Sequence, residues 1–204
     1  VDGPEHGNFM PFAAESGLVI FPRELRLSGA VWAHRLGYPG DARYREFHAD
    51  HTWQMSEHEL SRLGLERMPL GIKVHRITGD GMEREPYDHA MGAAAAREHA
   101  ADFIARIRER TAEVAPLLGR PPVFTLPFDM ELFGHWWYEG PEFLEALARL
   151  AADSTDIAFV TPEELLREGI DSSGRPAESS WGKSGYLDTW LNPAWLHAYP
   201  IVAD

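Results

Sequence analysis

Four short apolar runs limit what this chain can fold into: Gly17 to Phe21, Ile72 to Ile77, Val123 to Leu126 and Ile157 to Val160. Each is too short for a helix, and each is followed by residues with helical spacing or helix start signals. Glu24 to Arg35 reads as a helix despite Gly29, and Tyr38-Pro39-Gly40-Asp41 as a turn. Arg43 to His51 reads as a short helix, and residues 78–86 as loop. Asp88 is the expected N-cap of the longest helix, about residues 88–114, with Phe103, Ile104 and Ile107 on one stripe and Pro116 ending it. Pro141 opens a helix to about Ala152. Thr161-Pro162-Glu163-Glu164 has the capping-box pattern for a helix that Gly169 stops. The order is β-α four times over, which means a parallel sheet or a piece of a barrel in the α/β class. A closed eight-strand barrel takes ~250 residues, with about 200 as the minimum, so four units do not close one.

The chain has 204 residues and a net charge of −13. That charge argues against a nucleic-acid groove or an anionic membrane surface and suits a neutral polymer. No apolar stretch approaches the roughly 20 residues needed to span a bilayer. There is no cysteine, so disulfides and thiolate metal sites are excluded. This is compatible with a reducing cytoplasm, the compartment expected here. The ten histidines are scattered and match no metal-ligand spacing, and no glycine-rich phosphate loop or Gly-x-Ser-x-Gly elbow occurs. No metal or cofactor is expected.

The chemistry concentrates in Phe128 to Gly140, directly after the third apolar run. This stretch carries Asp129, Glu131, His135, Trp136 and Trp137 in one short loop. In parallel α/β architectures, active sites gather at the C-terminal ends of strands, where Asp129 falls. Aromatic planes stack on the apolar faces of sugar rings, and paired carboxylates cleave glycosidic bonds. The run therefore points to carbohydrate chemistry, although Asp129 at this position also reads as the cap of a turn. Adjacent tryptophans cannot face the same way in regular structure. One is expected in the core and the other, taken as Trp136, at the site. His135 reads either as a partner for a sugar hydroxyl or a carboxylate, or as a structural anchor of the loop. Glu131 reads as an orienting or anchoring residue. In the tail, Trp181 and Trp190 flank a glycine-rich stretch and read either as sugar platforms or as core plugs. Trp32 reads more as core than as ligand contact, and Arg23 lies just past the first run, at the functional end.

The string Phe128-Asp129-Met130-Glu131-Leu132-Phe133-Gly134-His135-Trp136-Trp137 resembles the fourth signature motif of glycoside hydrolase family 57. Its extension through Tyr138-Glu139-Gly140-Pro141-Glu142-Phe143-Leu144 looks most like the 1,4-α-glucan branching enzymes of that family. Thr161 to Glu164 with Ser179-Ser180-Trp181-Gly182 resembles the fifth motif region, and Ser16 to Arg23, Val31-Trp32 and Gly37 to Asp41 resemble the segment between motifs three and four.

The resemblance implies part of a (β/α)7 barrel with parallel strands, flanking helices and long loops, and a retaining glycosyl transfer on an α-glucan such as amylose or a glycogen-like polymer. Asp129 matches the general acid/base. Trp32, Trp181 and Trp190 match aromatic residues shaping the donor and acceptor grooves, and Arg23 matches an arginine near the catalytic centre. Retention requires a nucleophilic carboxylate about 5–5.5 Å from the acid/base. In the family that residue is a glutamate of the third motif, for which this chain has no counterpart. Residues 1–170 thus look like the C-terminal half of the catalytic barrel, and 171–204 like a loop-rich tail leading toward a helical domain. The expected partner is the N-terminal half of the barrel, and the chain alone is expected to be inactive. The other readings are 4-α-glucanotransferase or α-amylase of the same family, or a non-catalytic glucan-binding partner subunit.

Overall fold

The structure, a computed structural model, describes residues 7–33, 36–79, 83–176, 178, 180, 187, 191–197 and 200, with only the backbone for 195 and 196. Its helices are α1 (Leu25–Trp32), α2 (Glu57–Leu63), α3 (His89–Leu118), α4 (Gly140–Ala152), α5 (Pro162–Glu168) and the short α6 (Pro193–Leu196). Single 3-10 turns occupy Tyr38–Gly40, His51–Trp53 and Met130–Leu132.

The helix starts follow local chemistry. Asp88 caps α3 by accepting from the Met91 amide, and Thr161 and Glu164 form the reciprocal capping box of α5. Ser56 and Glu59 form a second capping box at α2, a helix that the sequence reading missed. Helix α3 runs past its expected end: Pro116 lies inside it, and the chain leaves at Gly119, in the left-handed conformation at φ 67°. A proline this close to the C-terminus removes only one late hydrogen bond, so the last turn survives.

The core forms where α3 packs on α4. Ala96, Ala100, Phe103 and Ile107 on α3 meet Phe143, Leu147 and Ala151 on α4, with Tyr44, Tyr38 and Trp137 completing the cluster. The alanines at helical spacing let the two backbones approach closely, and the aromatic rings fill the remaining volume. Helix α1 is tied on through Glu24, a buried N-cap whose carboxylate accepts from the Leu27 amide (2.6 Å) and from Arg110 Nε of α3 (3.0 Å).

The expected parallel sheet is not formed among the described residues, and neither is a barrel. The one sheet there has two strands, β1 (Phe12–Ala13) and β2 (Val19–Ile20), paired antiparallel. Among the described residues, parallel pairing is confined to isolated bridges, Arg23 with Thr125, Ala13 with Ser173 and Phe133 with Trp137. The run Ile72 to Ile77 is extended, but its bridges to Arg45 and to Pro86 are antiparallel. Ile157 to Val160 has no strand pairing among the described residues and leaves Phe159 and Val160 exposed. Apolar patterning reports a tendency to be buried but does not supply the neighbouring strand that a ladder needs. The expected helix over Arg43 to His51 is also absent. Those backbone amides bond elsewhere: Arg45 to Glu139 Oε1 (3.0 Å), Glu46 to the His75 carbonyl (2.9 Å) and His51 to the Ile72 carbonyl (2.8 Å). Tertiary hydrogen bonds have displaced the i to i−4 pattern.

Candidate functional site

The Phe128 to Gly140 run is a knot of backbone hydrogen bonds. Asp129 is extended (φ −68°, ψ 134°), and its carbonyl accepts from the Leu132 amide at 3.1 Å. The chain then reverses at Gly134, whose φ of 97° suits glycine. The reversal lets the Trp136 amide donate to the Glu131 carbonyl (3.1 Å) and the Trp137 amide to the Leu132 carbonyl (2.8 Å). Gly140 follows where a Cβ would come within 2.8 Å of Phe133 Cα, so only glycine lets α4 begin there.

The knot sets the two tryptophans on opposite sides. Trp137 is 2% exposed and joins the core, whereas Trp136 is 49% exposed. Asp129 is exposed, and its carboxylate does not cap the turn that follows it. The capping alternative is therefore not the one adopted, and the side chain is open to the adjoining cleft.

That cleft has a volume of about 870 Å3 and is lined by Asp129, Glu131, Leu132, Trp136 and the buried Trp137 from the run, Trp32 from the end of α1, and Arg45 to Ala49. Trp32 is half-buried and donates from Nε1 toward the Pro127 carbonyl at 3.4 Å, so it serves the core margin and the cleft wall together. Phe47 stacks on Trp136 with centroids 4.9 Å apart and planes 24° apart, and His135 stands edge-on to Phe47 at 5.2 Å. His135 is exposed and lies beside this stack rather than on the cleft wall. Arg23 sits at the bridge to Thr125, at the same end of that extended pair as Asp129, but outside the cleft lining. Trp181 and Trp190 lie outside the described residues.

Arg45, Glu46, Phe47 and His48 were missed by the sequence reading because their segment was assigned to a helix. Bulky aromatic and charged side chains in a row after a turn were the available signal, the same one that drew attention to the tryptophan run. The cleft mixes flat apolar surfaces with charged and hydrogen-bonding groups of both signs, as a neutral, hydroxyl-rich ligand requires.

Behind the cleft wall lies Glu139, fully buried. Its Oε1 accepts from the Arg45 amide at 3.0 Å, and the Tyr87 hydroxyl donates to the carboxylate. Oε2 has no partner among the described residues. Burial raises the Glu139 pKa above the usual carboxylate range, and these hydrogen bonds only partly offset it. A raised folded-state pKa means that the native protein binds the proton more tightly than the unfolded chain does. Stability is complete below the unfolded value, near 4.5, and is eroded as pH rises through the folded one. Glu139→Gln, which never ionises, should therefore gain on the wild type in urea midpoint as pH is raised from 5 to 9. A gap independent of pH would show that Glu139 titrates normally.

No protein-family model matches the chain. A protein of Mycobacterium tuberculosis named as a probable 1,4-alpha-glucan branching enzyme is 35% identical over 201 residues, covering 93% of this chain and 34% of the relative. Among solved structures, the GH57-type branching enzyme of Pyrococcus horikoshii superposes with a TM-score of 0.81 at 30% identity, covering 97% of this chain and 34% of that one. The alpha-amylase AmyC of Thermotoga maritima gives 0.79 at 34% identity, covering 98% and 39%. Over nine-tenths of its length, the chain is thus a homologue of GH57 enzymes. The relatives named for their activity include 1,4-alpha-glucan branching enzymes, and the chain spans about a third of their length.

Proposed function

We propose that this chain is part of a retaining 1,4-α-glucan branching enzyme, supplying the acid/base and one wall of the glucan groove. The observation that carries this reading is Asp129: its carboxylate takes no part in capping its own turn and opens on a cleft walled by Trp32 and Trp136. In the complete enzyme, a carboxylate from outside this chain attacks C1 of an α-1,4-glucan while Asp129 protonates the leaving oxygen. Asp129 then takes the proton of an acceptor 6-hydroxyl as that oxygen displaces the enzyme carboxylate, giving an α-1,6 branch. Transfer outruns hydrolysis when the groove holds acceptor glucan and excludes water. Trp181 and Trp190 would extend the aromatic groove, Arg23 would lie near the reacting centre, and His135 would pair with a sugar hydroxyl. Residues 1–170 would then be the C-terminal half of a (β/α)7 barrel, and the tail would lead to a helical domain.

The test is an iodine-stain and reducing-end assay on amylose, with and without the N-terminal half of the barrel. This chain alone should be inactive, and the completed protein should shift the iodine spectrum with little gain in reducing ends. Branching by the chain alone would overturn the division of catalytic residues. The 34% identity to the Thermotoga amylase, against 30% to the Pyrococcus branching enzyme, supports a second reading as an α-amylase of the same family. Reducing ends rising in step with loss of iodine stain would favour it.

A further inference from the structure

We propose that Phe47 and Trp136 form a single sugar-binding shelf in the wall of the Asp129 cleft, against which one pyranose ring of an α-glucan chain lies. The inference rests on the α-glucan reading above and adds to it a residue, Phe47, and a defined place for the chain. An exposed tryptophan alone carries no such weight, since scattered apolar residues are common on protein surfaces. Here, however, the Phe47 ring covers one face of the indole at 4.9 Å and 24°, while Trp136 stays 49% exposed. The exposure therefore falls on the opposite face and the edges. His135, edge-on to both rings at 5.2 and 5.8 Å, restricts sideways movement of the pair.

The two rings come from separate segments, and each segment is pinned. The Trp136 amide bonds to the Glu131 carbonyl (3.1 Å), and the Glu46 amide, next to Phe47, bonds to the His75 carbonyl (2.9 Å). A flat apolar plate whose backbone is pinned in both segments and whose rings brace each other suits the CH face of a pyranose, because less ordering entropy is lost on binding. Glu46 and His48 line the same cleft beside Phe47 and offer polar groups to ring hydroxyls. The turn that pins Trp136 also contains Asp129. A glucan chain on the shelf is thus held at a fixed offset from that carboxylate.

The experiment is titration of this chain with maltoheptaose, with cellohexaose as the β-linked control, by calorimetry and by the indole Nε1–H resonance of Trp136. The wild type should bind maltoheptaose, with the Trp136 resonance shifting. Trp136→Ala should weaken binding about tenfold, and Phe47→Leu, which keeps bulk but removes the flat backing, by several fold. The double variant should be little weaker than Trp136→Ala, because the two rings act as one unit. Folded variants that bind maltoheptaose as tightly as the wild type would overturn the shelf and leave the glucan reading standing. If Phe47→Leu does not fold, the wild-type resonance decides, and an unmoved Trp136 signal at saturation overturns the shelf. No binding of maltoheptaose by the wild type, or equal binding of cellohexaose, would overturn the shelf together with the α-glucan reading.

Discussion

Asp129→Asn in the complete enzyme should abolish branching of amylose, a loss of at least about 100-fold. Asparagine keeps the size of the side chain and its hydrogen-bonding capacity, but it cannot deliver a proton to the leaving oxygen or take one from the acceptor hydroxyl. The substitution is well placed to isolate that function, because the Asp129 side chain does not hold the turn that follows it. Those turn bonds are made by backbone atoms, with Leu132 and Phe133 donating to the carbonyls of Asp129 and Met130. Thermal stability and maltoheptaose binding should therefore stay near wild type while activity is lost. Retained branching would remove Asp129 from the acid/base role. A joint fall in stability and activity would make the carboxylate structural.

Trp137→Ala should destabilise the fold by about 3–5 kcal/mol, the cost of deleting a buried aromatic ring from a packed core. Its indole lies against Phe143 (centroids 5.0 Å apart) and Tyr44 (5.3 Å), where the tryptophan run meets α4 and the wall segment. The neighbouring Trp136→Ala should move stability by no more than about 0.5 kcal/mol, since its ring is half in solvent. Trp137→Phe should be mild, at under about 1.5 kcal/mol, because the buried indole nitrogen has no hydrogen-bond partner to lose among the described residues. Urea midpoints of the three variants check this order. Equal costs for Trp136→Ala and Trp137→Ala would contradict the division of the pair between core and cleft.

Local signals with a short-range cause were legible in advance. Asp88 and the Thr161–Glu164 box mark helix starts because a side chain meets an amide two or three residues away. The apolar stripe of α3 through Phe103, Ile104 and Ile107 was readable because helical spacing alone puts those positions on one face. The strands were not readable in the same way. Val123 to Leu126 finds partners at Phe9 and Arg23, and Ile72 to Ile77 finds them antiparallel at Arg45 and Pro86. Nothing inside an apolar run specifies its partner or direction. The wall segment from Arg45 to His48 failed for the same reason, because its backbone bonds go to Glu139 and His75.

From its sequence alone the chain disclosed its kinship, the run that concentrates its acidic and aromatic residues, and the starts of α3, α4 and α5. All three depend on residue identity at short spacing. Tertiary structure decided which tryptophan is core and which faces the cleft, that Asp129 leaves its own turn uncapped, and that Phe47 completes a wall shared with Trp136. Those outcomes depend on distant segments competing for the same backbone amides and the same apolar volume. That competition is settled only when the whole chain is packed.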